Sequence, residues 1–257
     1  MIDLEKAKSE FFKFVSDYDE TESNISVKKY HCIRVMENAL AIAKSLELTE
    51  EEINLAGLIG ILHDVARFEQ WKRFKNFSDK RTGFDHGDEA AKMLENPEFL
   101  RRFVNDDKND ELIVKAVRNH NKYKIEDGLT DRELLHAKII RDADKLDIFM
   151  ESVEKMYLTP EMIEATENSY VSESYYSQFM KEIQIKRVPE QTALDMIISY
   201  AAFIYDINFK YSCEVIEKES YIDGMLDAFD YKLDSTKVQI EEIREFAKNY
   251  LNRRLGK

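Results

Sequence analysis

Residues 49–64 read TEEEINLAGLIGILHD, and this stretch decides the architecture. Thr49 followed three residues later by Glu52 has the form of a capping box, in which an N-cap side chain and a third-position side chain satisfy each other's backbone donors. The helix it opens, residues 50–63, carries Leu55, Ala56, Leu58, Ile59, Ile61 and Leu62 on nearly every side. A helix that is apolar all round is buried on most sides. It is therefore expected at the centre of a helical core, with an imidazole and a carboxylate, His63 and Asp64, at its end.

Composition extends that reading to the whole chain. The 257 residues include only seven glycines and three prolines, with 35% charged and 44% hydrophobic residues. So few breakers predict an all-α protein. Helices are expected over residues 3–17, 27–46, 50–63, 86–95, 110–121, 131–150, 190–216 and 235–255. Residues 65–83 read as an aromatic and basic loop, and residues 151–191 as a partly helical cover rich in Ser, Glu and Tyr. No composition shift marks a linker, so residues 1–257 are expected as one domain: a motif-bearing core over 28–150 and a helical extension over 151–257.

A net charge of −13 argues against general nucleic-acid binding, which needs accumulated Lys and Arg. The two cysteines, Cys32 and Cys213, are too few for a disulfide framework, and the opening MIDLEKAKSEFF lacks the form of a secretory signal. The most apolar runs, residues 55–62 and 197–204, are far shorter than the ~20 residues of a membrane span. The expectation is a cytoplasmic protein with no membrane partner. The Tyr-rich C-terminal half is a candidate homodimer surface.

Four of the five histidines, His31, His63, His86 and His120, recur near expected helix ends, and two acids stand in apolar surroundings: Asp64 after GLIGIL and Asp144 within KIIRDADKLDIF. An ionised carboxylate on an apolar face is costly unless a cation or metal pairs with it. Imidazole and carboxylate together suit Zn, Mn, Fe or Ni, and the lack of cysteine ligands disfavours a closed structural zinc site. His136, eight residues before Asp144, lies about 80° from it around an ideal helix and reads as a surface residue.

The segments LIGILHDVARFEQ, FDHGDEAAKML, VRNHNKY and KIIRDADKLDIF together resemble the HD superfamily of metal-dependent phosphohydrolases, in one broad bacterial branch. Ala66 stands where that branch usually has Gly. The resemblance implies a helical bundle of the HD type with additional C-terminal helices, and His31, His63, Asp64 and Asp144 as metal ligands. His86 and His120 match two further histidines of members that bind two metals, with Asp64 as the bridge. The implied cofactor is one or two divalent ions of Mn, Fe, Ni, Co or Zn, with Mg an alternative. The implied substrate is a small phosphate-bearing molecule of the nucleotide class. The Gly-Tyr-Pro signature of the cyclic di-nucleotide branch is absent.

An anion also needs local positive charge. Arg67, Lys72, Arg73, Lys75, Lys80 and Arg81 oppose only Glu69 and Asp79 between residues 67 and 81, and basic groups there can stabilise transition-state charge. Arg67, three residues past Asp64, is the leading candidate for catalysis with Asp64 and for substrate binding. Lys122 and Lys145 are further substrate-binding candidates. Phe68, Trp71, Phe74 and Phe77 are expected to pack rather than to stack on a base. Two other readings stay open: a di-iron oxygenase, which uses the same ligand pattern, and a nucleotide-sensing module without turnover.

Overall fold

Helix α3 (Glu50–Leu62) buries every residue from Leu55 to Leu62. Each large aliphatic side chain removed from water in this way contributes about 1.5–3 kcal/mol. Its N-terminus is capped by Thr49, whose side chain accepts from the Glu52 amide at 3.4 Å. The reciprocal arm of the expected box is replaced: the Glu52 carboxylate accepts from Arg132 and His136 instead. The computed structural model describes residues 2–156, 158–188 and 190–257, and among these the secondary structure is all-α, with no strand.

Chain contacts divide the molecule into two units, Met1–Asp144 and Lys145–Lys257. In the first, α2 (Ser23–Ser45) lies along α3. Two glycines explain how close it comes. A Cβ on Gly60 would sit 2.8 Å from the Met36 Cα and 3.0 Å from the Val35 carbonyl oxygen, and one on Gly57 would sit 2.8 Å from a Leu40 methyl carbon. These residues weaken helix propensity, and in exchange they seat α2 backbone to backbone. Helix α1 (Leu4–Val15) adds Phe11 and Phe14, which meet Phe68 at centroid distances of 5.9 and 5.7 Å.

Residues 65–74 depart from the expected loop and form α4 (Val65–Phe74). Val65, Ala66, Phe68 and Gln70 are buried, and Lys72 and Arg73 fall in its last turn, where cations complement the helix dipole. The helix stops at Lys75, in the left-handed region at φ 48°. A short α5 (Asp79–Thr82) follows, then α6 (His86–Glu95), α7 (Pro97–Leu100), α8 (Asp110–Asn119) and α9 (Asp131–Val153). Helix α6 packs against α8 and α4.

The second unit holds the last turns of α9 and then α10 (Pro160–Glu167), α11 (Glu173–Phe179), α12 (Ala193–Ala201), α13 (Lys210–Lys218), α14 (Tyr221–Leu226) and α15 (Asp234–Leu255). Helix α15 packs on α11, α13 and α14. The single helix expected over 190–216 is broken. A capping box at Thr192 and Asp195 opens α12, a 3-10 turn spans Ala202–Asp206, and Ile207 is extended while Asn208 donates to the Asp206 carbonyl. That side-chain bond satisfies a carbonyl that helix continuation would have used. Among the described residues no helix is long and apolar enough to cross a membrane.

Candidate metal centre

Six side chains of the first unit arrive from five helices and their ends. His31 sits within α2, His63 caps the C-terminus of α3, His86 is the first residue of α6, His120 caps the C-terminus of α8, and Asp144 lies on α9. Asp64 occupies the break between α3 and α4, at φ −110° and ψ 17°. Successive residues of an ideal helix diverge by about 100°. This break is what lets neighbouring His63 and Asp64 face one place.

The two oxygens of Asp64 face different partners. Oδ2 lies 3.5 Å from His31 Nε2 and 3.7 Å from His63 Nε2. Those nitrogens are 3.2 Å apart and stand 3.3 and 3.6 Å from Asp144 Oδ1. Oδ1 lies 3.6 Å from His86 Nε2 and 3.7 Å from His120 Nε2, themselves 3.0 Å apart. Ligand atoms at ~2.1 Å around a tetrahedral ion are separated by roughly 3.4 Å, so the spacing fits the purpose.

Hydrogen bonding makes a stronger test of that fit. His63 Nδ1 donates to the Gly60 carbonyl and His120 Nδ1 to the Val117 carbonyl, each at 2.7 Å, while His86 Nδ1 donates to Asp79 Oδ2. These acceptors hold the protons on Nδ1 and leave the Nε2 lone pairs facing inward. Two imidazole lone pairs 3.0 Å apart repel unless a positive charge, a proton or a metal ion, lies between them. Asp64 Oδ1 is buried without a hydrogen-bond donor, a costly condition for a carboxylate oxygen. Histidine nitrogens and carboxylate oxygens are the donor set of first-row divalent ions. The cluster can hold metal.

The charge states agree with that use. Burial raises the Asp64 carboxyl, but Lys28, His63, His120 and Arg67 outweigh it and keep it well below the usual carboxylate range. Asp144 is likewise held low against its burial by His31 and His63. Burial and the Arg67 guanidinium push His86 down to about 4, against the pull of Asp79 and Asp64. Burial lowers His63 despite its acidic neighbours.

Of the expected cations, Arg67 alone stands among these ligands. Its NH1 donates to Gln70, the Phe77 carbonyl and Asp79, NH2 is 3.2 Å from His86 Nε2, and Nε is 3.6 Å from Asp64 Oδ1. Lys122 pairs with Asp85 and Asp88 at 2.8 and 2.9 Å. Lys145 pairs with Asp206 at 2.8 Å. Lys75 pairs with Glu22 and Arg73 with Glu69, so much of the basic segment is neutralised locally. The aromatic side chains largely pack: Phe68 is fully buried, and Trp71 meets the Phe77 ring at 5.0 Å while donating to Glu22.

His136 is not a surface residue. It is buried, and its Nε2 is 2.7 Å from Glu52 Oε2. An angle from Asp144 gives a direction away from the cluster, and that direction leads to α3 rather than to water.

Sequence reasoning overlooked three contributors. Lys28 donates to Asp64 Oδ2 at 3.1 Å; its position one turn before His31 was the available signal. Arg141 is buried, and its NH1 donates to the carbonyls of Asn119, His120 and Lys122; a cation inside the apolar run KIIRDAD marked it. Asp79 reaches His86 across a turn, and no periodic pattern announces that contact.

No curated protein and no solved structure matches the chain. The HD domain family does, over residues 29–148, a span that contains all six converging side chains and the buried break at Asp64. Residues 29–148 of this chain are an HD domain.

Proposed function

We propose that this protein is a metal-dependent phosphohydrolase that cleaves a small phosphate ester or anhydride of the nucleotide class. The observation that carries the reading is the setting of Asp64, whose two oxygens each face a pair of histidine Nε2 atoms and one cation. The HD domain over residues 29–148 supports it, because most members of that superfamily are metal-dependent phosphohydrolases.

In this reading His31, His63, Asp64 and Asp144 would hold one divalent ion, and Asp64, His86 and His120 would hold a second. Mn, Fe, Ni, Co or Zn suits these donors, and Mg is an alternative. Such ions, when bound, would supply Lewis-acid chemistry, lowering the pKa of a water and polarising a phosphoryl oxygen. The chain supplies the rest. Asp64 and Asp144 remain ionised, the His63 and His86 rings, lowered by burial, present neutral Nε2 atoms, and Arg67 offsets charge that develops on the phosphoryl oxygens. The nucleotide class rests on the resemblance of the motifs. Lys28 and Arg67 beside Asp64 favour a phosphate substrate over the oxygenase alternative.

The test is phosphate release from a nucleotide panel by protein of assayed metal content, loaded in turn with Mn, Co, Ni, Fe and Mg. Release is expected from the wild type and not from Asp64→Ala. Full release by that variant overturns the mechanism. Oxygen-dependent turnover by the iron form would favour the oxygenase, and nucleotide binding with no turnover the sensing module.

A further inference from the structure

Lys28 lies one residue before the segment that matches the HD domain, yet it touches the most central carboxylate of the cluster. Its Nζ donates to Asp64 Oδ2 at 3.1 Å, and Arg67 Nε stands 3.6 Å from Oδ1 of the same group. Both cations also share one ring: the Lys28 Nζ and the Arg67 guanidinium carbon lie 5.8 and 5.7 Å from the Phe77 centroid. Asp64 is thus flanked at each oxygen by a cation that rests on Phe77.

Exposure shows which way this pair faces. The side chains of His31, His63, His120 and Asp64 are 4% exposed or less and that of His86 is 9% exposed, whereas those of Lys28, Arg67 and Asp144 are 12%, 14% and 15% exposed. The two cations, with the Asp144 carboxylate, are therefore more open to solvent than any of the four histidines.

Resting on the hydrolase reading above, we propose that Lys28 and Arg67 form a two-cation clamp for a terminal, dianionic phosphoryl group. Lys28 donates from the Oδ2 side of Asp64 and Arg67 from the Oδ1 side. The selectivity follows from counting acceptors. A terminal phosphoryl group has three non-bridging oxygens and a phosphodiester has two. Two separated cations, together with ions that the histidine pairs would hold, place more positive groups around the phosphorus than a diester has oxygens to meet. Lysine acts here as a compact point charge, and arginine as an oriented fork.

Titration calorimetry of the metal-loaded protein with inorganic phosphate and with dimethyl phosphate tests the clamp. Phosphate is expected to bind the wild type more tightly than dimethyl phosphate does. Lys28→Met should weaken phosphate binding about ten- to a hundredfold, the range for losing a charged hydrogen bond, with its metal stoichiometry kept. Lys28→Arg should recover part of the loss. A second measurement needs no variant: phosphate should slow acetylation of Lys28 in the wild-type protein, read by peptide mass, without slowing that of exposed Lys108.

Unchanged phosphate affinity in a folded Lys28→Met protein, equal binding of dimethyl phosphate, or Lys28 acetylation indifferent to phosphate overturns the proposal. The labelling result decides if the variant does not fold. The two readings fail separately. Phosphate held through Lys28 with no ester hydrolysed sinks the hydrolase and spares the clamp; hydrolysis with a neutral Lys28→Met does the reverse.

Discussion

Nδ1 of His86 lies 2.5 Å from Oδ2 of Asp79, and the same carboxylate accepts from Arg67 and Gln70 through its other oxygen. Asp79 therefore fixes two neighbours of the candidate second ion at once: the tautomer of His86 and the placement of the Arg67 guanidinium. Partners of this kind typically change metal affinity by about 10–100-fold when removed. Asp79→Asn is expected to lose one equivalent of metal before the other. Elemental analysis across a metal titration reads this directly, and simultaneous loss of both equivalents would contradict it.

Acid should unfold the metal-free protein earlier than its carboxylates alone require. His86 is held at about 4 by burial and Arg67, below its ordinary 6.5, and His63 and His136 are lowered mainly by burial. In this window the unfolded chain binds more protons than the folded one, so stability falls as pH drops from about 6.5 toward 4. For His86 the linkage amounts to about 2 kcal/mol between pH 7 and pH 5. Asp64 and Asp144, held low in the fold, add their loss only below their usual range. Thermal unfolding of stripped protein at pH 7, 6 and 5 should show a progressive drop, and His86→Gln should flatten it.

Arg141 predicts a different signature. Its NH1 bonds the carbonyls of Asn119, His120 and Lys122, the turn that ends α8 and aims His120. Removing a buried charged donor costs about 1.5–3 kcal/mol. Arg141→Met should lower the unfolding midpoint and weaken the ion at His86 and His120 more than the ion at His31 and His63. Arg141→Lys, with one donor head in place of a fork, should recover stability better than it recovers metal. Equal loss of both ions would mean that Arg141 serves only the fold.

The central helix was legible in the sequence from local signals, an apolar run and a cap, whereas the six candidate ligands were named from the resemblance of their motifs to the HD superfamily. The α4 helix was not, since its cations suggested a solvated loop although the spacing of Phe68 and Trp71 was already helical. The groups that orient the ligands were harder still. Asp79, Lys28 and Arg141 act across turns or between helices, and an ion pair between helices leaves no period in the sequence. His136 shows the same limit from the other side, because a helical angle says which way a side chain points but not what it meets.

Gly60 offers a test of how tightly the cluster depends on helix packing. An Ala Cβ there would meet the Met36 Cα at 2.8 Å and the Val35 carbonyl at 3.0 Å, and backbone atoms inside a 23-residue helix have little room to yield. Gly60→Ala gains up to about 1 kcal/mol of helix propensity but should lose about 1–3 kcal/mol to overpacking. At Gly57 the obstructing atoms are side-chain carbons of Leu40 and Leu4, which can rotate, so Gly57→Ala should be close to neutral. The consequence for the site is specific. The Gly60 carbonyl accepts the His63 Nδ1 proton, and α2 carries His31, whose Nε2 is 3.2 Å from that of His63. Moving α2 away from α3 should separate this pair while leaving His86 and His120 in place. Gly60→Ala is therefore expected to weaken the ion at His31 and His63, the opposite preference to Arg141→Met. Denaturant midpoints and metal titrations of the two glycine variants, run together, decide it; equal stability of Gly57→Ala and Gly60→Ala would refute the backbone contact as the constraint.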